Sequence, residues 1–146
     1  MSTTAKSLDD IAGYEYDWLA CDADDHVALF TTAGAGWAPL AFLRDTDAHA
    51  AALDALLALA ASTTARFAPR YGADVVNTWQ LVAERGLFAY DCEPTGGPYR
   101  QVAAPVVAVQ VDTLPPPVAA RVRAVRIPLR FTDQLVIGPD PPAGVR

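Results

Sequence analysis

The sequence predicts an α+β fold, in which an antiparallel or mixed sheet of about five to six strands has two main helices packed on it. Three observations lead to this prediction: runs of alternating apolar and polar residues, two runs with the apolar spacing of an amphipathic helix, and turn-forming clusters between them. The chain has 146 residues, which suits one domain with its own core. We therefore expect a single domain over residues 1–146, ordered from about residue 12 to residue 138, with loose termini.

A β-hairpin is predicted close to the N-terminus. Residues 14–21 alternate as in a strand, and residues 26–32 form a second run of strand-forming residues. Between them, Asp22-Ala-Asp-Asp25 is rich in side chains that hydrogen-bond their own backbone and so favour turns. A glycine-bearing loop over residues 33–39 follows the hairpin.

Two helices are predicted next. The first spans Thr46–Ala61 and is capped by Asp45 or Thr46. The residues of its expected buried face recur at the spacing of one helical stripe: Ala50, Leu53, Leu56, Leu57 and Ala60. The second helix spans Val75–Arg85, with Asp74 as its cap and Gly86 at its end.

The C-terminal half is predicted to complete the sheet. Strands are expected over Leu87–Cys92 and Val106–Val111, with a turn over residues 93–98 between them. After Leu114-Pro-Pro-Pro117, a helical spacing of valines competes with a strand alternation that starts at Val125. We favour a short helix opened by the prolines, then a strand from about Val125, and a last strand at Gln134–Ile137.

The charge distribution bears on the class of partner. The net charge is −6, and residues 1–60 carry ten acidic side chains against Lys6 and Arg44, whereas the remainder carries seven against nine arginines. An acidic chain is a poor match for phosphates, so nucleic acid is not expected as a partner. The acidic half favours an interaction surface for a basic partner, although solubility alone would also explain it. The sequence has no secretory signal or membrane-spanning run, and we expect a cytoplasmic location.

No run of residues has the pattern of a metal or cofactor site. If Asp22 opened a calcium loop, its sixth and twelfth residues would be glycine and glutamate, but they are Val27 and Ala33. The Gly34-Ala-Gly36 segment lacks the third glycine of a dinucleotide site and the lysine of a phosphate loop. We expect neither a metal nor a cofactor.

The residues suited to catalysis are few. Cys21 and His26 flank the same turn, but the aspartates around them would raise the pKa of the thiol and disfavour the thiolate. Cys21 and Cys92 lie in apolar strands and are expected to be reduced, buried and inert. His49 is expected at the surface, and Trp37 is expected to be partly exposed in its glycine loop. The chain is therefore predicted not to be an enzyme, and a small enzyme or ligand-binding module with a pocket near Cys21, His26 and Trp37 stays the alternative.

Two blocks of the sequence resemble small bacterial immunity proteins of polymorphic-toxin systems. The first runs from Asp17 to Gly36, DWLACDADDHVALFTTAGAG, and is similar to an aromatic strand, a D-x-D-[GD]-x turn and an FTTAG-x-G segment followed by proline. The second runs from Trp79 to Asp91 and is similar to a helix that ends in RG-[LI]-[FY]-x-YD. A third likeness lies between Leu114 and Phe131, and Asp25 stands where the family has glycine.

The resemblance implies an antitoxin without catalysis of its own, which binds and neutralises a cognate toxin C-terminal domain in bacterial competition. Together with the acidic N-terminal half, it implies that the toxin is basic where the two proteins touch. The residues expected to make this contact lie in the hairpin turn and the glycine loop: Asp22, Asp24, Asp25, Gly34, Gly36 and Trp37.

Overall fold

The structure is a computed structural model that describes residues 5–145, and it confirms the predicted α+β fold. Within these residues a six-stranded mixed sheet is accompanied by five α-helices. The strands are β1 Asp17–Cys21, β2 Val27–Thr31, β3 Ala65–Phe67, β4 Phe88–Asp91, β5 Tyr99–Pro105 and β6 Val136–Ile137. The helices are α1 Leu8–Ile11, α2 Leu40–Leu43, α3 Thr46–Leu57, α4 Thr78–Ala83 and α5 Pro116–Arg123, with a 3₁₀ turn at Val111–Thr113.

The predicted hairpin forms one side of the sheet. The strand order is β1-β2-β4-β5-β3, and β6 also pairs with β5. β1 and β2 are antiparallel, whereas β2 and β4 are parallel and make the sheet mixed. The register places Asp17 beside Thr31 and Thr31 beside Asp91, so these three residues form one row across adjacent strands.

Each face of the sheet covers a separate hydrophobic core. One face is aromatic, with the Phe30 ring stacked between Trp18 at 4.1 Å and Tyr90 at 5.0 Å. The other face is aliphatic, and residues such as Leu29 and Leu56 pack there with α3, α4 and α5. Alternation along the strands assigns successive residues to the two cores, as expected for a sheet covered on both faces.

The first long helix forms, but its buried face and its end differ from the prediction. α3 is capped by Asp45, whose side chain accepts the Ala48 N–H, and it ends at Leu57 rather than Ala61. Ala50 and Ala60 are exposed. The buried face instead consists of Thr46, His49, Ala52, Leu53 and Leu56. Alanine occupies every side of this helix, so the sequence offers little contrast between a buried and an exposed stripe.

The second predicted helix is shorter than expected at its N-terminus. Asn77, not Asp74, caps α4, because its side chain accepts the Gln80 N–H and also donates to the Pro69 carbonyl. Val75 and Val76 therefore lie outside the helix and are exposed. Gly86 follows the helix with φ +90°, the left-handed conformation that glycine adopts most easily at a helix end.

The C-terminal strands are the least accurate part of the sequence prediction. β5 occupies residues 99–105, and Val106 and Val107, expected in a strand, are exposed beyond its end. α5 forms as predicted, but the strand expected from Val125 is absent from the described residues, and only Arg126 there forms a bridge, to Cys21. β6 has two residues instead of four. Buried side chains alternate along residues 125–131 without strand pairing, so alternation alone misled the prediction.

The N-terminal segment is ordered earlier than expected. A capping box between Ser7 and Asp10 opens α1, and Ile11 is buried in the aromatic core. The first four residues of the predicted loose tail lie outside the described part of the chain. Over residues 5–145, no helix is both long enough and apolar enough to cross a membrane.

Candidate functional site

Asp22, expected at a partner surface, is fully buried. Its carboxylate accepts backbone N–H groups from Asp24 and His26, both at 2.9 Å, and from Phe131 at 2.8 Å. A buried carboxylate is stable only when its oxygens are paired in this manner. Asp22 therefore ties the hairpin turn to residues 124–131, the segment after α5 that we call the C-terminal segment. Because Asp22 is buried, its expected role as a contact residue is wrong.

Asp24 and Asp25 lie at the surface, but each is paired with an arginine of the C-terminal segment. The Asp24 carboxylate is 3.3 Å from Arg130, and the Asp25 carboxylate is 2.7 Å from Arg126. Arg126 also donates to the Asp22 carbonyl. The turn is therefore a neutralised surface within this chain, and not the free acidic cluster that the sequence suggested.

The glycine loop is a structural part of the aromatic core. Trp37 is 7% exposed, so the expectation of an exposed indole is wrong. Its ring packs against Trp18 and Tyr99, and its Nε1–H donates to the Gly138 carbonyl at 3.3 Å. A side chain at Gly36 would overlap the Tyr99 hydroxyl, which donates to the Trp37 carbonyl at 2.7 Å. Gly34 has φ +84°, and its loop lines a cleft of about 320 Å³ next to α1.

The alternative pocket near Cys21, His26 and Trp37 does not form among the described residues. Cys21 is fully buried, and burial raises the pKa of its thiol. His26 lines a separate cleft of about 390 Å³ with Arg66 and Thr132, which neither Cys21 nor Trp37 reaches. Cys21 and Cys92 are both free and buried, as predicted. Their inertness stays a prediction.

His49 is another residue that the sequence placed wrongly, because it is 1% exposed rather than on the surface. Its Nδ1 accepts the Leu19 N–H at 3.2 Å and thereby joins α3 to β1. Burial, with a smaller contribution from Arg121, lowers the pKa of His49 to about 4, so the ring is neutral at pH 7. The spacing of His49 from Leu53 and Leu56 is that of one helical face and could have identified it as buried.

A feature that the sequence analysis missed is a group of acidic side chains at one end of β1 and β4. The acidic members are Glu15, Asp17 and Asp91. Together with the neighbouring Tyr14 they form what we call the strand-end patch. The strand register brings Asp17 and Asp91 together, because both flank Thr31 on adjacent strands and share one face of the sheet. With about 4.8 Å between neighbouring strands, their backbones are about 10 Å apart. The Thr31 hydroxyl donates to Asp91 at 2.5 Å.

The carboxylates of the strand-end patch repel one another. Burial, followed by repulsion from Glu15 and Asp91, raises the pKa of Asp17 from 3.8 to about 6. Burial also raises the pKa of Asp91, with Glu15 adding to the effect and the Thr31 hydrogen bond opposing it. In the described part of the chain none of these three carboxylates forms an ion pair, and Arg100, beside Asp91 in the sheet, pairs with Glu93 instead. The patch is thus an acidic surface without a counter-charge of its own.

Comparisons with known proteins add no relative to this picture. No family model matches the chain, and neither a curated protein nor a solved structure matches it. Across residues 5–145, no three or more histidine, cysteine or acidic side chains are grouped as metal ligands.

Proposed function

We propose that this chain is an immunity protein, which binds and neutralises a basic toxin domain and performs no chemistry of its own. The two sequence blocks that resemble immunity proteins supply framework residues. Phe30 and Tyr90 form the aromatic stack, while Thr31 and Thr32 hydrogen-bond to neighbouring segments. Because these residues hold the fold together, we infer that binding is performed by other residues on the exposed surface.

The groups that could act as nucleophile or base support binding rather than catalysis. Catalysis by a thiol needs a base within hydrogen-bond reach and a lowered thiol pKa. Here the hydrogen bond of the Cys21 thiol goes to the Val125 carbonyl at 3.7 Å and not to a base, and burial raises the pKa of Cys92 as well. His49 already uses one ring nitrogen for a backbone N–H. None of these groups is poised for a reaction on a bound substrate.

The strand-end patch is the contact surface that we propose, and its unpaired carboxylates carry the argument. A lysine or arginine of the partner, placed among Glu15, Asp17 and Asp91, would replace repulsion by attraction. Tyr14, which is 67% exposed, stands directly beside these carboxylates in the chain. Tyrosine is enriched among residues that dominate binding energy, so Tyr14 is suited to act as the anchor.

Charge reversal at Glu15 tests this surface. Glu15→Lys should slow association with the cognate toxin domain by about tenfold at low salt, because steering by opposite charges acts mainly on the association rate. The difference should shrink at high salt, where the Debye length is only a few ångströms. Glu15 is exposed, and its replacement by lysine relieves the repulsion of Asp17 and Asp91, so the melting temperature should not fall.

Asp54→Lys provides the matched control, since it makes the same change of charge on the exposed side of α3. The association rates should be measured by stopped flow or surface plasmon resonance at two salt concentrations. If Glu15→Lys and Asp54→Lys slow association equally, only the overall charge matters and the strand-end patch is not the contact surface.

The second candidate function is that of a small ligand-binding module. The cleft lined by His26, Arg66 and Thr132 favours it, because about 390 Å³ falls within the range of small-molecule sites. A cellular phenotype that His26→Ala abolishes and Glu15→Lys leaves intact would support this function over toxin binding.

A further inference from the structure

A second cleft of about 400 Å³ lies where α2 and the end of α5 meet the start of the C-terminal segment and residues 144–145. Three of the ten residues that line it are arginines, Arg44, Arg123 and Arg126, and none is acidic. This is unusual in a chain with a net charge of −6. The cleft adjoins the Cys21 end of β1, through the Arg126 bridge, whereas the strand-end patch lies at the Asp17 end.

The positive charge of this cleft is only partly balanced. Arg126 is held by Asp25 at 2.7 Å, but Arg123 approaches Asp112 only at 3.9 Å, with both side chains at least half exposed. Within residues 5–145 the Arg44 guanidinium forms no ion pair and no hydrogen bond. Arg44 therefore carries a positive charge for which the described residues supply no partner.

Compensation of helix dipoles does not account for these arginines. Arg44 caps the C-terminus of α2, and Arg123 ends α5, where cations are favourable. A helix terminus corresponds to about half a negative charge, and α2 has only four residues. The two helix ends together offset about one positive charge, whereas Arg44 and Arg123 carry two. Positive charge therefore remains around the cleft even before Arg126 is counted.

We propose that this cleft binds an acidic peptide segment, whose carboxylates pair with Arg44 and Arg123. Guanidinium groups bind carboxylates through two parallel hydrogen bonds. Between the arginines the lining is apolar, with Pro39, Leu40 and Ala124, and it suits the aliphatic stems of glutamate side chains better than a bare inorganic ion. The proposal goes beyond toxin binding and does not depend on it. The acidic strand-end patch is proposed to bind a basic partner, whereas this arginine-lined cleft is proposed to bind an acidic one.

A labelled triglutamate peptide titrated into the isolated chain tests the proposal by fluorescence anisotropy. The wild-type protein should bind it saturably, and Arg44→Gln should weaken binding at least tenfold. Arg70→Gln is the matched control, because Arg70 is an exposed arginine outside the cleft, and it should change affinity less than twofold. Arg123→Gln is a second variant that keeps the test decisive if Arg44→Gln does not fold. In a parallel experiment, inorganic phosphate at equal ionic strength is tested as a competitor that displaces the labelled peptide.

Three results would overturn the proposal. One is the absence of saturable binding by the wild-type chain. Another is equal weakening by the cleft variants and by Arg70→Gln. The third is tighter binding of phosphate than of triglutamate with the same dependence on Arg44, which would make the cleft a site for small anions rather than for a peptide. Each result uses this chain alone, so it leaves the toxin-binding proposal to its own test.

Discussion

The carboxylate of Asp22 accepts three backbone N–H groups, one of them from Phe131, 109 residues further along the chain. At the scale of single residues, this is the clearest case of a side chain that looks functional in the sequence and serves the fold in the structure. Its neighbours in the turn could be read from the sequence, because aspartates favour such turns. The contact with Phe131 could not be predicted from the sequence, because no local pattern indicates a partner 109 residues away.

Removing the Asp22 side chain should therefore destabilise the protein strongly. Asp22→Ala leaves three N–H donors without their acceptor, and each hydrogen bond to a charged group contributes about 1.5–3 kcal/mol, although not additively. We expect a loss of at least about 2 kcal/mol in the free energy of unfolding, measured by urea denaturation. Asp24→Ala, which removes only a surface ion pair, should cost about 0–1 kcal/mol. Equal losses in the two variants would contradict the role assigned to Asp22.

Asp17 should make the stability of the protein depend on pH. The pKa of this carboxyl is about 6 in the folded protein, above its ordinary value of 3.8, so the folded state holds the proton more tightly than the unfolded chain does. The stabilisation linked to that proton is complete below about pH 4 and is lost as the pH rises through 6.

Asp17→Asn removes the charge that creates this dependence. Its advantage over the wild type should grow from nearly nothing at pH 4 to on the order of 1 kcal/mol at pH 7, in urea unfolding experiments at several pH values. Asp54→Asn removes the same charge away from the patch and is the matched control. A difference between Asp17→Asn and wild type that stays constant from pH 4 to pH 7 would show that burial and the neighbouring carboxylates do not raise the pKa of Asp17 in the folded protein.

At the scale of secondary-structure elements, local signals explain which predictions succeeded. The hairpin, α3 and α5 have strong local patterns: turn-forming aspartates, a capping residue, and prolines at the start of a helix. β5 and β6 depend instead on pairing with distant strands. Because β4 pairs with the residues directly after the turn, β5 begins at Tyr99, and the apolar run at Val106 is left beyond the sheet.

The packing of α3 gives a stability test at this scale. Leu56 is fully buried in the aliphatic core, and Leu56→Ala should lower the free energy of unfolding by about 2–5 kcal/mol. Leu59, in the turn after the helix, is 36% exposed and offers a comparison with the same chemical change. Thermal melts followed by circular dichroism should rank Leu59→Ala well above Leu56→Ala in stability. Similar melting temperatures for the two variants would argue against the assigned buried face.

At the scale of the whole molecule, the fold redistributes the charges that the sequence separates. The acidic N-terminal half predicts an acidic face, but two of its aspartates pair with arginines from the C-terminal half: Asp24 with Arg130 and Asp25 with Arg126. Glu15, Asp17 and Asp91, which form no ion pair among residues 5–145, meet at the strand-end patch, and Arg44, which forms none there either, lines the cleft beyond the other end of β1. Composition shows that the N-terminal half is acidic, but only the strand register shows that Asp17 and Asp91 come together.

The central claim is that this chain neutralises a toxin by binding it. The most direct measurement produces this chain together with the toxin domain encoded by the neighbouring gene, and records both complex formation and cell survival. We expect the wild-type chain to bind the toxin and to restore growth, and we expect Glu15→Lys to protect less well than Asp54→Lys. The claim would be contradicted if the wild-type chain neither bound a product of its own locus nor protected cells that produce it.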